Sequence, residues 1–207
     1  MATAPIIDRW YAEARQRNRT IVLADGDDER AVAAAARLRD EGLATPILLD
    51  DAAAHRSKAV EAAAAALAKP VDLDDPLVVA VLLVATGEAD GCVAGASRPT
   101  ADVIRAGLRI LGTGPEVSAV SSSFVMVLAD GRPVVYGDCG VLPDPDAEQL
   151  ASVARSCAAT YRQLCVEPGR ADGGSTGDDD GDDDGDEPRV AMLSFGTRGS
   201  AEHPRVD

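Results

Sequence analysis

The sequence is poor in aromatic residues and in long apolar stretches, and each shortage excludes a class of protein. Aromatic residues make up 3 % of the chain, so alanine and valine must fill the core, which favours helices packed closely on a sheet. The apolar stretch Leu77–Ala85 is too short to span a bilayer and predicts a buried helix. The N-terminal segment shows no basic region followed by an apolar one, so we expect no secretory signal and a cytoplasmic location.

Metal-binding patterns are also missing from the sequence. The four cysteines show no Cys-x-x-Cys or Cys/His spacing, and two scattered histidines are too few for a ligand set. We therefore expect no metal ion, and we interpret the cysteines as small buried apolar residues. The residues concerned are Cys92, Cys139, Cys157, Cys165, His55 and His203.

Positive charge is scarce as well. The chain has 20 Lys and Arg against 35 Asp and Glu, a net charge of −15, and its only lysines are Lys58 and Lys69. This composition is typical of salt-loving microbes, because molar salt shortens the Debye length to about 3 Å and screens the self-repulsion. The charge argues against nucleic acids and anionic membranes as partners. Much of it lies in a low-complexity stretch at about 169–187, which we predict to be a disordered acidic insertion.

Strands and helices alternate along the first half of the chain, which predicts a parallel sheet in layered α/β/α architecture. The turn-rich break near 112–115 predicts a boundary between an N-terminal α/β lobe, residues 1–115, and an incomplete second α/β lobe, residues 116–207. In the first lobe we predict strands at 20–24, 45–49 and 91–95, and helices at 5–19, 30–41, 52–68, 76–86 and 100–111. In the second we predict a hairpin around the Asp-Gly at 130–131, a helix at 147–166 and a buried strand at 189–194.

The stretch Gly87–Arg109 has the layout of an anion site. A buried strand leads into a loop rich in small and hydroxyl residues, and a helix follows, with Thr100 as its predicted N-cap and Arg105 inside it. Val190–Ser200 repeats part of this layout further along the chain. By contrast, the acidic segment 25–29 predicts the capped start of a helix rather than a cation site. Asp138, at the end of a predicted strand, either orients a donor or caps the turn that follows.

Five segments in sequence order resemble phosphate acetyltransferases: 21–38, 87–110, 120–128, 136–151 and 189–207. The resemblance implies the reaction acetyl-CoA + phosphate ⇌ CoA + acetyl phosphate, with CoA, acetyl phosphate and phosphate as substrates and no metal or prosthetic group. It also implies an isocitrate dehydrogenase-like fold of two lobes with the site in the cleft between them, and pairing of chains into dimers.

Two departures from the family pattern limit what the resemblance implies. The helical segment with an arginine and a Lys-Gly pair that normally precedes GEADG has no room before Gly87. The family's C-terminal portion, which carries a Ser-Arg pair and the aspartate base, has no counterpart, so the second lobe is expected to be truncated and the catalytic base is unassigned. The sequence matches about the first two thirds of a family member.

The resemblance assigns substrate-binding residues to both loops and to Ser122, which lies between them. Arg105 matches the arginine that contacts substrate anions, and its alternative role is a surface salt bridge with Asp102. Hydroxyl and small residues are further substrate contacts, with capping and turn roles as the alternative: Ser97, Thr100, Ser122, Ser194, Thr197, Gly199 and Ser200. Two other functions stay open, namely a phosphate butyryltransferase, and an inactive fragment or module that binds CoA or phosphate.

Overall fold

The computed structural model describes residues 4–115, 117–166 and 188–193. The chain forms two compact units, residues 1–114 and 115–207. The first unit contains five helices and three strands among its described residues: α1 Pro5–Arg17, β1 Thr20–Leu23, α2 Glu29–Asp40, β2 Thr45–Leu48, α3 Lys58–Ala66, α4 Pro76–Ala85, β3 Gly91–Val93 and α5 Thr100–Ile110. The second contains β4 Ser123–Val127, β5 Pro133–Gly137 and α6 Ala147–Cys165.

The three strands of the first unit form a parallel sheet in the order β2-β1-β3. Val22, in the middle of β1, is opposite Ile47 of β2 on one side and Cys92 of β3 on the other. Parallel neighbours require crossover connections, and helices supply them here. The prediction of an α/β fold with a parallel sheet is confirmed.

Helix α4 forms the centre of the first unit's core. Its sequence PLVVAVLLVA is apolar on every side, so the helix is stable only when it is surrounded, and it contacts α3, α5 and β3. Val79, Ala80 and Leu82 are fully buried. Each buried valine or leucine contributes about 1.5–3 kcal/mol, so this helix anchors the elements that carry the loops.

Two local predictions in the first unit are wrong. The helix expected at 52–68 is a short 3-10 turn, Ala53–His55, followed by α3, because the Ser57 side chain caps a new helix by accepting from the Val60 amide. Thr100 is the first residue of α5, and Pro99 holds the N-cap position without a side-chain cap. The acidic segment behaves as predicted at Asp28, whose carboxylate caps α2 through the Arg30 amide.

The second unit is built on the predicted hairpin. Strands β4 and β5 pair antiparallel, with Phe124 opposite Tyr136, and α6 begins with a capping box formed by Asp146 and Gln149. The buried strand expected at 189–194 is wrong for the described part, because 189–193 are exposed and form no strand. They line a cavity together with β5 but form no strand pairing with it. The predicted acidic insertion lies outside the described residues.

Candidate functional site

The carboxyl ends of β1 and β3 lie side by side in the first unit. Strand β1 is the central strand, with β2 next to it on one edge and β3 on the other. The strand order therefore changes direction between β1 and β3. In open parallel sheets, ligands bind beyond the carboxyl ends of the strands at this point. Asp25 follows β1 there, and the loop Gly95–Arg98 follows β3.

The carboxylate of Asp25 holds the loop after β3. One oxygen accepts from the amides of Gly95, at 2.9 Å, and Ala96, at 3.1 Å. The other accepts from the amide of Ser97, at 3.3 Å, and from its hydroxyl, at 2.7 Å. Asp25 is 5 % exposed, so these donors replace the water that the charge has lost. Asp25 and the three residues that it holds are called the Asp25 clamp below.

The clamp keeps Asp25 ionised. Burial raises the pKa of this carboxyl. The hydrogen bonds from the Ser97 hydroxyl and from the amides of Ala96, Ser97 and Gly95 together lower it by more, so the pKa lies below the usual 3.8. The clamp is therefore formed by a charged acceptor at neutral pH. Sequence reasoning missed it because 70 residues separate Asp25 from Gly95 and no local pattern connects them.

Two arginines hold the loop from its other sides. Arg30 donates to the backbone oxygen of Ala96 and also to both carboxylate oxygens of Asp28. Arg98 forms a bidentate pair with Asp75, at 3.1 and 2.8 Å, and Asp75 is the N-cap of α4. The loop is thus fixed to the start of α2 and to the start of the central core helix.

Of the residues predicted to bind the substrate in this unit, Ser97 lies in the loop, bonded to Asp25, whereas Thr100 and Arg105 lie beyond it, on α5. Thr100 is exposed at the first residue of the helix, and the Asp102 amide donates to the Pro99 oxygen. The first amides of a helix have no acceptor within it, so those of Thr100 and Ala101 point outwards from the helix start. Arg105 is largely exposed and pairs with Asp102 at 2.6 Å, the alternative role that the sequence left open. Its contact with a substrate anion stays a prediction.

The second unit contains a similar arrangement around Asp138, which follows β5. One carboxylate oxygen accepts from the amide of Ser122, at 2.6 Å, and from its hydroxyl, at 2.8 Å. The other accepts from the amides of the following turn, at 3.3, 2.8 and 2.7 Å for Gly140, Val141 and Leu142. Asp138 therefore caps the turn and orients a donor at once, the two roles considered from the sequence. This group is called the Asp138 clamp below.

The hydroxyl of Ser122 both donates and accepts a hydrogen bond within this clamp. It donates to Asp138 and accepts from the Cys139 amide at 3.0 Å. Burial raises the pKa of Asp138, but the hydrogen bonds, led by the Leu142 amide, hold it far below its usual range. Whether Ser122 also contacts a substrate stays a prediction.

A cavity of about 600 Å³ lies next to this clamp in the second unit. Strand β5, helix α6 and the segment 188–193 line it, mostly with apolar side chains, and Arg189 supplies a positive charge. Cys157 of α6 is among the lining residues, and burial raises the pKa of its thiol. A raised pKa keeps the thiol protonated and argues against a nucleophile. The expectation of buried cysteines is wrong in degree, because all four are partly exposed.

The predicted contacts in the last segment lie outside the described residues: Ser194, Thr197, Gly199 and Ser200. Within the ranges that the structure describes, no group of three or more His, Cys, Asp or Glu side chains is placed to hold a metal ion. Across the same ranges, no helix is both long and apolar enough to cross a membrane.

Comparison with known families decides the ancestry of the chain. The family model described as Phosphate acetyl/butaryl transferase matches residues 5–73 and 63–171, most of the sequence. The chain belongs to this family. Its members include the phosphate acetyltransferase of Paracoccus denitrificans, which is 36 % identical over 97 % of this chain. The phosphate acetyltransferase of Corynebacterium glutamicum is 32 % identical over 99 % of it.

Solved structures of the family share this fold. A phosphotransacetylase from Streptococcus pyogenes superposes with a TM-score of 0.70 at 29 % identity, covering 99 % of this chain and 66 % of that one. The EutD phosphotransacetylase from Staphylococcus aureus gives a TM-score of 0.73 at 27 % identity, covering 97 % and 64 %. The chain also spans 65 % of the length of the Paracoccus relative and 66 % of the Corynebacterium one, a little under two thirds.

Proposed function

We propose that this chain acts in acetyl transfer between CoA and phosphate, acetyl-CoA + phosphate ⇌ CoA + acetyl phosphate. The observation that carries the proposal is the family match over residues 5–171 together with relatives named phosphate acetyltransferase that align with nearly the whole chain. The site geometry supports it, because β1 and β3 bring a rigid loop and the start of α5 to the ligand-binding edge of a parallel sheet.

In the proposed reaction, the CoA thiolate attacks the carbonyl carbon of acetyl phosphate. The new carbon–sulfur bond replaces the carbon–oxygen bond to phosphate, which leaves with the bonding electrons. Phosphate carries negative charge throughout, so the site must supply cations and hydrogen-bond donors. We assign this task to Arg105 and Thr100, with Ser122 and the predicted residues Ser194, Thr197, Gly199 and Ser200 on the second unit. Arg105 suits it because a planar guanidinium binds phosphate through two hydrogen bonds.

The wider setting is part of the same proposal. We expect the two units to be lobes of an isocitrate dehydrogenase-like enzyme that pairs into dimers in the cytoplasm and needs no metal or prosthetic group. We also expect a salt-rich environment, because the net charge of −15 destabilises the compact state through self-repulsion unless salt screens it. The melting temperature should therefore rise steadily as KCl increases from dilute to molar, and a flat or falling profile would contradict this adaptation.

Formation of acetyl-CoA from acetyl phosphate and CoA in molar KCl tests the activity. Arg105→Ala should lower kcat/KM by at least about tenfold, the loss expected when a charged hydrogen bond to phosphate is removed. Arg37→Ala is the matched control, because Arg37 is also a surface helix arginine paired with a carboxylate, at 2.5 Å from Glu41. Equal loss in both variants, or none in either, would contradict the role of Arg105.

A binding function is the second candidate, because the described residues offer hydrogen-bond donors and cations for an anion while the catalytic base is unassigned. A chain that binds CoA and phosphate but forms no thioester would support it. Butyryl transfer remains a third possibility, since the family description names both acyl groups. Comparing acetyl phosphate with butyryl phosphate as substrates distinguishes the two transferases.

A further inference from the structure

The amides of three consecutive residues, Gly95, Ala96 and Ser97, converge on one point after β3. Converging backbone amides form a concavity that binds anions, and at the end of a parallel strand the anion is often a ligand phosphate. In this chain the anion at that point is the protein's own carboxylate, Asp25, which is 5 % exposed.

The side chain of Ser97 is committed in the same way. A hydroxyl has one proton to donate, and a carboxylate can only accept. The Ser97 hydroxyl donates its hydrogen bond to the Asp25 carboxylate, with the two oxygens 2.7 Å apart, the distance of a charge-assisted hydrogen bond. While the clamp is closed, Ser97 has no proton left for a phosphate oxygen.

A substrate phosphate would also be repelled from this point. Displacing Asp25 would leave a buried carboxylate without donors and beside another anion, which is strongly unfavourable. The loop is further fixed by Arg30 at the Ala96 oxygen and by the Arg98–Asp75 pair. The loop amides are therefore part of the support rather than part of the ligand-binding surface.

We infer that Asp25 is an internal anion that positions the loop Gly95–Arg98, and that Ser97 acts with Asp25 instead of contacting the substrate. The inference rests on the proposed function in one respect, namely that the loop and α5 form the phosphate-binding edge. By fixing residues 95–98, Asp25 sets where α5 starts and hence where Thr100 and Arg105 meet a ligand. Ser97 is thus a positioning residue, in place of the substrate contact predicted from the sequence.

Amide hydrogen exchange in the full chain tests the clamp without relying on activity. Asp25→Asn and Ser97→Ala should each speed exchange at residues 95–97 by at least about tenfold, because each removes a charge-assisted hydrogen bond. Ser97→Thr, which retains a hydroxyl, should restore the protection. Asp27→Asn is the control, since Asp27 is exposed in the same segment, and its exchange pattern should match that of the unmodified chain. Unchanged exchange in both Asp25→Asn and Ser97→Ala would overturn the inference.

A double-mutant cycle separates positioning from direct contact. Ser97→Ala should raise the KM for acetyl phosphate in the unmodified chain and have no further effect in Asp25→Asn, because both residues act through one clamp. A direct contact would instead give the same fold-change in both backgrounds and would overturn the role of Ser97. If the unmodified chain forms no thioester, the proposed activity fails on its own, and the exchange experiment still decides whether Asp25 and Ser97 form one unit. If Asp25→Asn does not fold, Ser97→Ala and Ser97→Thr decide it.

Discussion

The two units fix their loops with the same device in different surroundings. In both, an aspartate just after a strand accepts the amide and hydroxyl of one serine on one oxygen and a run of backbone amides on the other. Asp25 joins two strands' loops above a filled core, whereas Asp138 joins a hairpin to the turn that follows it, beside a cavity of about 600 Å³. A charged acceptor can therefore order a loop whether or not a full core supports it.

The surroundings differ most in exposed apolar surface. Among the described residues, nine large apolar side chains are exposed in the second unit, Leu193 at 82 %, against four in the first, where six of the ten residues of α4 are buried. Substitutions near Asp25 should consequently disturb a tightly packed region, and those near Asp138 should find room to relax. The following predictions test this contrast, beginning with the largest effect.

The glycines beside the two clamps should respond differently to a methyl group. A Cβ at Gly26 would overlap with the backbone of Leu49 and Asp50, while one at Gly137 would overlap with the Cys157 sulfur. Gly26→Ala should lower the free energy of unfolding by at least ~3 kcal/mol, because backbone cannot move aside. Gly137→Ala should cost ~1–3 kcal/mol, and Cys157→Ala in the same chain should recover part of it.

Urea unfolding at matched salt measures both effects. The comparison would be contradicted if Gly26→Ala proved as mild as Gly137→Ala, or if Cys157→Ala failed to relieve the second substitution. Cys157→Ala alone supplies the reference for the cycle.

Acid should weaken both clamps in the same direction. The folded pKa of each aspartate lies below its value in the unfolded chain, so the stabilisation is fully present above about pH 4 and is lost as pH falls through the folded pKa. Asp138→Asn should cost ~1–3 kcal/mol at pH 7 by removing the acceptor of several amides. The same variant should flatten the pH dependence of unfolding between about pH 5 and 2.

Amide hydrogen exchange measured at each residue shows which unit responds to the Asp138→Asn substitution. Asp138→Asn should expose the amides of residues 140–142 and leave those of 95–97 protected. A pH profile as steep in Asp138→Asn as in the unmodified chain would contradict the account of this clamp.

Helix capping gives the smallest difference between the units. Asp146 caps α6 through the Gln149 amide, at 2.8 Å, whereas α5 begins without a side-chain cap. Asp146→Ala should therefore cost ~1 kcal/mol, and Thr100→Ala should change stability by less than ~0.5 kcal/mol. In the structure no side chain caps α5. A larger loss for Thr100→Ala in thermal unfolding would instead show that the Thr100 side chain caps the helix.

Local signals were sufficient for most of the fold. Helix α4 follows from nine apolar residues after a proline, α2 from the cap at Asp28, and the hairpin from its Asp-Gly turn. The prediction of a buried strand at 189–194 is wrong at the described residues 189–193, because an apolar pattern does not decide whether a segment pairs with a neighbouring strand.

The clamps were beyond local reasoning to different degrees. Asp138 lies two to four residues before the amides that it caps, so the sequence pointed to it. Asp25 and Ser97 are 72 residues apart in the chain. They meet only because the strand order places β1 next to β3. Tertiary neighbours of this kind leave no periodicity in the sequence, and the hydroxyl of Ser97 was accordingly assigned to the substrate.

Titration of the labelled chain with inorganic phosphate in molar KCl, followed by amide chemical shifts, is the most direct test of the central claim. The claim is that Asp25 occupies the loop amides and that α5 meets the phosphate. We predict saturable shifts at the amides of Thr100 and Ala101 and at the Arg105 side chain, with little change at Gly95, Ala96 and Ser97. Shifts that are largest at residues 95–97, or saturable shifts nowhere in the first unit, would contradict it.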